Sequence, residues 1–215
     1  MRIYAAPLWL AATNCYVVSG DGATGVIVDA PPDVSAIEKV VTEAGVVPVA
    51  LLATHGHVDH IGGAGGVVRR YSAAAYLHPD DDWLAADPAA QLREIFMMSP
   101  EGDYEVPDRY EALAHGQVLE LAGLEWTVLH TPGHTPGHCS FHLAAEGVLF
   151  SGDLLFEGSI GRTDLPGGDY DTLMESMRSQ ILPRPPDTGV LPGHGPATTI
   201  ARELSTNPFL SGFRS

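Results

Sequence analysis

The sequence predicts an α/β protein in which two β-sheets pack together and helices cover their outer faces. β-rich runs form two groups, before and after residues 79–112, and each group is interleaved with helical runs. A chain of 215 residues with 45% hydrophobic side chains can bury a core of this size. Since no linker, repeat or low-complexity tract divides it, we expect one domain over residues 1–215.

The first half of the chain alternates strands with helices. Its β-rich runs predict strands over 14–18, 25–29, 47–54 and 74–77. Helices are expected over 34–44 and 61–71. Pro31 and Pro32 end the second strand, and Asp33 caps the helix that follows.

Residues 79–112 differ in character from the rest of the chain. They hold three consecutive aspartates, Asp80 to Asp82, and the apolar group Ile95-Phe96-Met97-Met98. We expect a helix near 88–98 followed by an irregular loop. Irregular insertions often act as lids or binding loops, and a helix packed on the core is the other interpretation.

Strands resume after this segment. The β-rich runs are at 117–121, 125–129, 140–143, 147–150 and 189–191. Helices are expected over 169–181, beginning near Asp169 or Asp171, and over 198–205.

A cluster of three histidines and one aspartate follows the buried strand at 47–54. It reads Thr54-His55-Gly56-His57-Val58-Asp59-His60 and precedes a glycine-rich stretch. Side chains crowded onto such a turn converge on a small volume, and neutral imidazoles and carboxylates are ligands of zinc and similar ions. Because a buried Asp59 requires a partner, the cluster predicts a metal site.

Three further ligand-type residues each follow an apolar run and a glycine: His134, Asp153 and His194. Loops that leave strand ends at one edge of a sheet can converge on a shared site. Five histidines and two aspartates are enough for two ions with open positions. Structural zinc sites favour closed shells, often with cysteine, so this set favours reactive metals over a non-enzymatic metal-binding domain.

These motifs, in this order, resemble those of the metallo-β-lactamase superfamily, and the chain looks like its glyoxalase II-like (hydroxyacylglutathione hydrolase-like) members. The resemblance extends from Thr13-Asn14-Cys15-Tyr16 to Asn207-Pro208-Phe209-Leu210. It implies a four-layer αββα sandwich. Full-length glyoxalase II has a sizeable C-terminal helical part, so this chain resembles the shorter, single-domain relatives.

The resemblance also implies a role for each ligand. The first metal would be held by His55, His57 and His134, the second by Asp59, His60 and His194, and both by a bridging Asp153. Two divalent ions are therefore expected. Zinc is the favoured metal, and iron or manganese suits the same ligands.

Two such ions can share a bridging hydroxide that attacks a carbonyl, and Asp59 is placed to orient it. A thiol is a good leaving group, so a thioester needs little general-acid help. The resemblance points the same way, to small-molecule thioesters such as S-D-lactoylglutathione. Arg162 matches a basic residue that contacts the carboxylate of the thiol cofactor in glyoxalase II, and a structural arginine is the other interpretation.

Other activities share these motifs. A persulfide dioxygenase is the main alternative, because that group resembles this chain but uses one iron at positions matching His55, His134 and Asp153. A lactonase is a second alternative, since the same hydroxide opens a cyclic ester. β-Lactamases are less favoured because they are typically exported and lack a bridging carboxylate like Asp153.

Composition restricts the partners. The net charge of −16, with Lys39 as the single lysine, disfavours nucleic acid. No apolar run approaches the roughly 20 residues that span a bilayer, and no secretory signal is evident, so we expect a cytoplasmic protein without a membrane partner.

The remaining cysteines and histidines are expected to be mainly structural. Cys15 and Cys139 are predicted to be reduced, partly buried thiols, with a disulfide or a metal thiolate as the alternative. His138, four residues past His134, is a candidate for a hydrogen bond behind the ligands. Structural roles are expected for the histidines outside the motifs: His78, His115, His130 and His142.

Overall fold

The computed structural model describes residues 1–95 and 97–213. Six strands form the first sheet in chain order: β1 (Arg2–Leu8), β2 (Thr13–Ser19), β3 (Thr24–Val28), β4 (Val47–Leu52), β5 (Ala74–Leu77) and β6 (Glu111–Ala112). β1 to β3 pair antiparallel, and β3 to β6 pair parallel. The parallel strands end at one edge of the sheet, and β4 leads from that edge into the histidine cluster.

The second sheet is mostly antiparallel. Its strands are β7 (Val118–Leu121), β8 (Leu124–His130), β9 (Cys139–Leu143), β10 (Val148–Gly152), β13 (Gly189–Pro192) and β14 (Thr198–Thr199), in the spatial order β14-β13-β10-β9-β8-β7. Among the described strands of this sheet, only β10 and β13 pair parallel, so both deliver their following loops to the same edge. A small ribbon of β11 (Leu155–Phe156) and β12 (Ser159–Ile160) follows β10.

In the part of the chain that the structure describes, seven α-helices accompany the sheets: α1 (Val34–Ala44), α2 (Val58–Ile61), α3 (Ala64–Tyr71), α4 (Asp82–Ala85), α5 (Pro88–Ile95), α6 (Tyr170–Ser176) and α7 (Ile200–Thr206). A π-helical turn, Met177–Ile181, continues α6. Asp33 caps α1 by accepting a hydrogen bond from the Ala36 amide, and Asp169 caps α6 in the same way from Thr172. Both predicted helix starts are therefore confirmed.

Strand β2 shows how the layers are built. All seven of its residues are buried, and successive side chains point to opposite faces. Tyr16 and Val18 pack between the sheets with Trp126 and Phe150, whereas Val17 packs on the other face with residues of α1 and α3. A strand buried on both faces predicts a layer on each side.

The second sheet is covered in the same way. Leu149 and Val190 pack on its outer face against Leu173 of α6 and Ile200 of α7. Full burial of one such side chain stabilises the fold by about 1.5–3 kcal/mol. Helices therefore cover both outer faces, which confirms the expected four-layer αββα sandwich.

The helix predicted over 61–71 is interrupted. The carbonyl of His60 accepts a hydrogen bond from the Ala30 amide, and the Gly63 amide donates to the Ala30 carbonyl, at 2.7 and 2.8 Å. The His60 carbonyl and the Gly63 amide therefore bond to Ala30 instead of to other groups of one continuous helix. The segment forms two helices, α2 and α3. A Cβ on Gly63 would also collide with the carbonyl of Pro31, so glycine is required at this break.

The helix predicted near 88–98 is shorter than expected. It ends at Ile95, Phe96 lies outside the described residues, and Met97 has a left-handed φ of 50°. The preceding segment, 79–95, packs on the core. This supports the interpretation of that region as a helix packed on the core rather than as a lid.

Both cysteines, Cys15 and Cys139, are free and fully buried. Burial raises the pKa of both thiols, which makes them unreactive at neutral pH. Within residues 1–95 and 97–213, none of the helices combines the length and apolar character that a membrane span requires.

Candidate metal centre

All seven predicted ligands lie together at one edge of the sandwich. The histidine cluster follows β4 of the first sheet. The other three residues follow strands of the second sheet: His134 after β8, Asp153 after β10 and His194 after β13. An isolated bridge between Thr13 and His194 joins the two sheets at this edge.

Three imidazole nitrogens form a tight triangle. Nδ1 of His57 lies 3.0 Å from Nε2 of His55 and 2.9 Å from Nε2 of His134, and the third side measures 3.2 Å. All three side chains are buried. Metal–nitrogen bonds of about 2.0–2.1 Å in tetrahedral geometry put ligand nitrogens about 3.3 Å apart. The triangle therefore fits one ion.

A second set lies beside the first. Oδ2 of Asp59 lies 3.2 Å from Nε2 of His194 and 3.4 Å from Nε2 of His60, and the two histidine nitrogens are 3.3 Å apart. These separations are also close to the edge of a metal-centred tetrahedron. The set fits a second ion.

Asp153 lies between the two sets. Its Oδ2 is 3.6 Å from Nε2 of His134 in the first set and 3.5 Å from Nε2 of His194 in the second. Its Oδ1 is 3.4 Å from Nε2 of His60 and, among the described residues, receives no hydrogen bond although it is buried. A buried carboxylate oxygen without a donor requires a cation, so this oxygen fits a metal ligand.

Hydrogen bonds behind two histidines hold their free nitrogens toward the centre. Nδ1 of His134 donates to the Arg162 carbonyl at 2.8 Å. Nδ1 of His60 donates to Oδ2 of Asp29, also at 2.8 Å. In each ring the proton is thereby held on Nδ1, which leaves the Nε2 lone pair for a metal.

His55 is oriented through a hydroxyl. The Thr54 hydroxyl donates to the Asp29 carboxylate and lies 3.0 Å from Nδ1 of His55, from which it accepts. His57 differs, because its Nδ1 joins the triangle and its buried Nε2 has no hydrogen-bond partner within the described part of the chain. The three histidines of the cluster therefore present both kinds of ring nitrogen to the centre: Nε2 from His55 and His60, and Nδ1 from His57.

The charges of the two sets differ. Burial, reinforced by neighbouring imidazoles such as His134, lowers the pKa of His57 to about 3, and burial lowers the pKa of His55 in the same direction. Burial also acts to lower the pKa of His60, but Asp59 and Asp153 outweigh it and hold that pKa well above its usual value. The first set thus offers neutral imidazoles, and the second combines two imidazoles, of His60 and His194, with the Asp59 carboxylate.

The structure adds site residues that sequence reasoning missed. Asp29 directly follows β3 and has a φ of 60°, a strained conformation for a non-glycine residue that is common at functional sites. The Thr13 hydroxyl donates to Oδ2 of Asp59 at 2.9 Å. In the sequence, Asp29 is recognisable only as a single carboxylate that follows the apolar run at 25–28.

Asp81 connects the two histidine loops, that is, the loop after β4 that carries His55 and His57 and the loop after β8 that carries His134. Its carboxylate accepts hydrogen bonds from the amides of Gly56 and Gly137 at 2.8 and 2.6 Å and from the Thr135 hydroxyl at 2.7 Å. Gln91 also holds the first loop, because its side chain contacts the Gly56 carbonyl and the Val58 amide. The segment 79–95 therefore supports the site from behind.

His138 also supports the centre. Its Nε2 accepts the Asp153 amide proton at 3.0 Å, and its Nδ1 donates to the Thr131 hydroxyl at 2.9 Å. This is the contact behind the ligands that its spacing indicated. Arg162 lies at the pocket wall, and its guanidinium forms two hydrogen bonds with Asp164, at 2.8 and 2.7 Å.

His78, Asp80 and His130 form another group of ligand-type side chains. The rings of His78 and His130 stack with centroids 4.0 Å apart and planes 6° apart. Lone pairs in parallel planes do not converge on one ion, and Nε2 of His130 donates to the Pro136 carbonyl. The stacked pair is therefore best explained as packing.

A pocket of about 430 Å³ opens beside the two ligand sets. Ligand-type side chains form its floor: His57, Asp59, His134, Asp153 and His194. A small organic substrate fits a pocket of this size.

The sequence matches the metallo-β-lactamase superfamily model over residues 8–194. The hydroxyacylglutathione hydrolase GloC of Haemophilus influenzae is 35% identical over 98% of this chain and 99% of its own length. Two crystal structures are similar throughout. The B3 metallo-β-lactamase BLEG-1 has a TM-score of 0.88 and 38% identity, covering 98% of this chain and 100% of its own. TTHA1623, in a di-iron-bound form, has a TM-score of 0.86 and 36% identity, covering 96% and 100%. This chain therefore belongs to the metallo-β-lactamase superfamily of metal-binding hydrolases.

Proposed function

We propose that this protein hydrolyses small-molecule thioesters of the S-D-lactoylglutathione type with two divalent ions, of which zinc is the favoured metal. The position of Asp153 carries the proposal, since its two oxygens lie within 3.6 Å of ligand nitrogens from both sets. His55, His57 and His134 would hold one ion, Asp59, His60 and His194 the other, and Asp153 both. The unpartnered Oδ1 of Asp153 and the nitrogen triangle support this assignment.

Two bound ions supply a nucleophile at neutral pH and polarise the carbonyl that it attacks. The side chains of this protein orient the ligands and determine which ring nitrogens carry protons. Thr13 donates to Oδ2 of Asp59, which fixes the carboxylate that faces the pocket and is suited to orient the attacking group. No general acid is required, because a thiol with a pKa of about 8.5 leaves readily as thiolate.

The relative from Haemophilus influenzae supports this choice of substrate, because it is a hydroxyacylglutathione hydrolase over nearly the same length. TTHA1623 supports a site for two ions and shows that a similar fold holds iron. Zinc, iron and manganese all suit imidazole and carboxylate ligands.

The test is hydrolysis of S-D-lactoylglutathione by the metal-loaded protein and its Asp153→Asn variant. We expect turnover by the wild type and a loss of at least about 100-fold in the variant, because removing a ligand costs more than removing a group behind one. The matched control is Asp187→Asn, in an exposed loop, which should keep wild-type turnover. Equal turnover by Asp153→Asn would contradict the proposal.

β-Lactam hydrolysis is a second candidate, since BLEG-1 covers this chain almost completely. The same preparations should be assayed with a chromogenic cephalosporin and in an oxygen electrode with glutathione persulfide. Cephalosporin turnover without thioester turnover would favour the β-lactamase, and oxygen uptake with one iron per chain would favour the dioxygenase.

A further inference from the structure

The pocket beside the ligand sets is walled mainly by apolar groups: Trp9, Leu10, Met98, Phe156, Ile160 and Leu165. Apolar surface gains free energy when an apolar ligand removes it from water. We infer that the pocket binds the acyl part of apolar thioesters, so that the preferred substrates carry an alkyl or aryl acyl group on an uncharged thiol. The inference rests on the proposed thioester hydrolysis and names the preferred members of that substrate class, with S-D-lactoylglutathione cleaved as a poorer substrate.

Two of these side chains are exposed although they are apolar. Leu10 is 58% exposed and Met98 is 48% exposed, and both line the pocket. Large apolar side chains grouped at the edge of a polar site are typical of ligand-binding surfaces. A bound alkyl chain would cover them.

The loop that presents Leu10 is held in place. Trp9 and Ala12, on either side, have left-handed φ values of 59° and 54°, which cost free energy for residues with a Cβ. The Trp9 indole donates to the Glu101 carbonyl at 3.3 Å and packs edge-on against Tyr104. These contacts keep the leucine at the pocket entrance rather than letting it turn into the core.

The charges of the pocket do not favour an anionic carrier. Among the wall residues that the structure describes, Arg162 is the single lysine or arginine, and its guanidinium is paired with Asp164 through two hydrogen bonds. A substrate carboxylate would have to compete with Asp164. The net charge of −16 adds a general repulsion of anions.

Turnover of a homologous series tests the inference. The substrates are acetyl, butanoyl and hexanoyl thioesters of N-acetylcysteamine, compared with S-D-lactoylglutathione, and the enzyme is the metal-loaded full chain. We expect kcat/KM to rise about fourfold per methylene and hexanoyl-N-acetylcysteamine to exceed S-D-lactoylglutathione by about tenfold or more. In Leu10→Ser, kcat/KM should depend less on the length of the acyl chain. Val47→Ser, at the end of β4 opposite the histidine cluster and 61% exposed, should leave this dependence unchanged.

Binding provides a readout that does not depend on turnover. S-ethyl, S-butyl and S-hexyl thioethers of N-acetylcysteamine cannot be hydrolysed, and calorimetry measures their Kd. Affinity that rises with chain length and falls in Leu10→Ser supports the inference, even if no thioester is cleaved and the proposed function fails. Affinity independent of chain length, or a tenfold preference for S-D-lactoylglutathione in turnover, overturns the inference while leaving thioester hydrolysis intact.

Discussion

Asp81 is the residue on which the alignment of the two histidine loops depends. Its carboxylate accepts from two amides and one hydroxyl, of Gly56, Gly137 and Thr135, and it is fully buried. In Asp81→Asn one oxygen becomes an NH₂ group that faces a donor, so at least one hydrogen bond is replaced by a repulsive contact. We expect metal affinity and turnover to fall by about 10–100-fold.

The matched control is the neighbouring Asp82→Asn, whose side chain is exposed and should have no effect on either quantity. Metal affinity is measured by competition with a chromogenic chelator, and thermal unfolding shows whether both variants fold. Unchanged metal affinity in a folded Asp81→Asn protein would show that the loops hold their positions without this carboxylate.

Sequence reasoning identified the ligand-type residues but not the residues that support them. The cluster from His55 to His60 is recognisable because its spacing alone concentrates ligand types on one turn. Asp81, Asp29 and Thr13 act through contacts with residues more than 20 positions away along the chain, and such contacts exist only after folding. Asp81 also stood in a run of three aspartates in which two remain exposed.

At the scale of elements, β12 contacts the site through Gly161, the residue that directly follows it. A Cβ at Gly161 would overlap the Asp153 carbonyl and would lie 3.3 Å from Nδ1 of His134. Because the Gly161 amide also donates to the Leu154 carbonyl, the ribbon cannot move away without losing that bond. We expect Gly161→Ala to displace Asp153 and to reduce turnover by at least about tenfold.

Gly189→Ala is the control, since its added Cβ would meet its nearest neighbour at 3.7 Å, an ordinary contact distance. Turnover and metal content of both variants are compared with those of the wild type. A Gly161→Ala protein with full activity would mean that the ribbon does not constrain Asp153.

Most of the strands and the main helices were predictable because their signals are local, whereas β1 (Arg2–Leu8) was not predicted. The run 34–44 begins at a capping Asp33 and ends before Gly45, and the structure has the same bounds. Short elements were not predictable: α4 and the β11–β12 ribbon are held by tertiary contacts rather than by propensity. The break between α2 and α3 follows from hydrogen bonds to Ala30, which no local pattern reveals.

At the scale of the whole molecule, the sandwich brings loops from two sheets to one edge. β4 of the first sheet delivers the histidine cluster, and the second sheet delivers the later motifs. The grouping of strands predicted two packed sheets, and the family resemblance added the order of the layers. The pocket wall could not be predicted, because Leu10, Met98 and Phe156 come from three separate segments.

The number of ions bound per chain distinguishes a two-metal site from a site for a single ion. Elemental analysis after metal loading, on the wild type and on His194→Ala, gives ions per chain. We expect two ions in the wild type, held by both sets with Asp153 between them, and one in His194→Ala, since that variant disrupts only the second set. A single ion per chain in the wild type, unchanged by His194→Ala, would contradict the two-metal account.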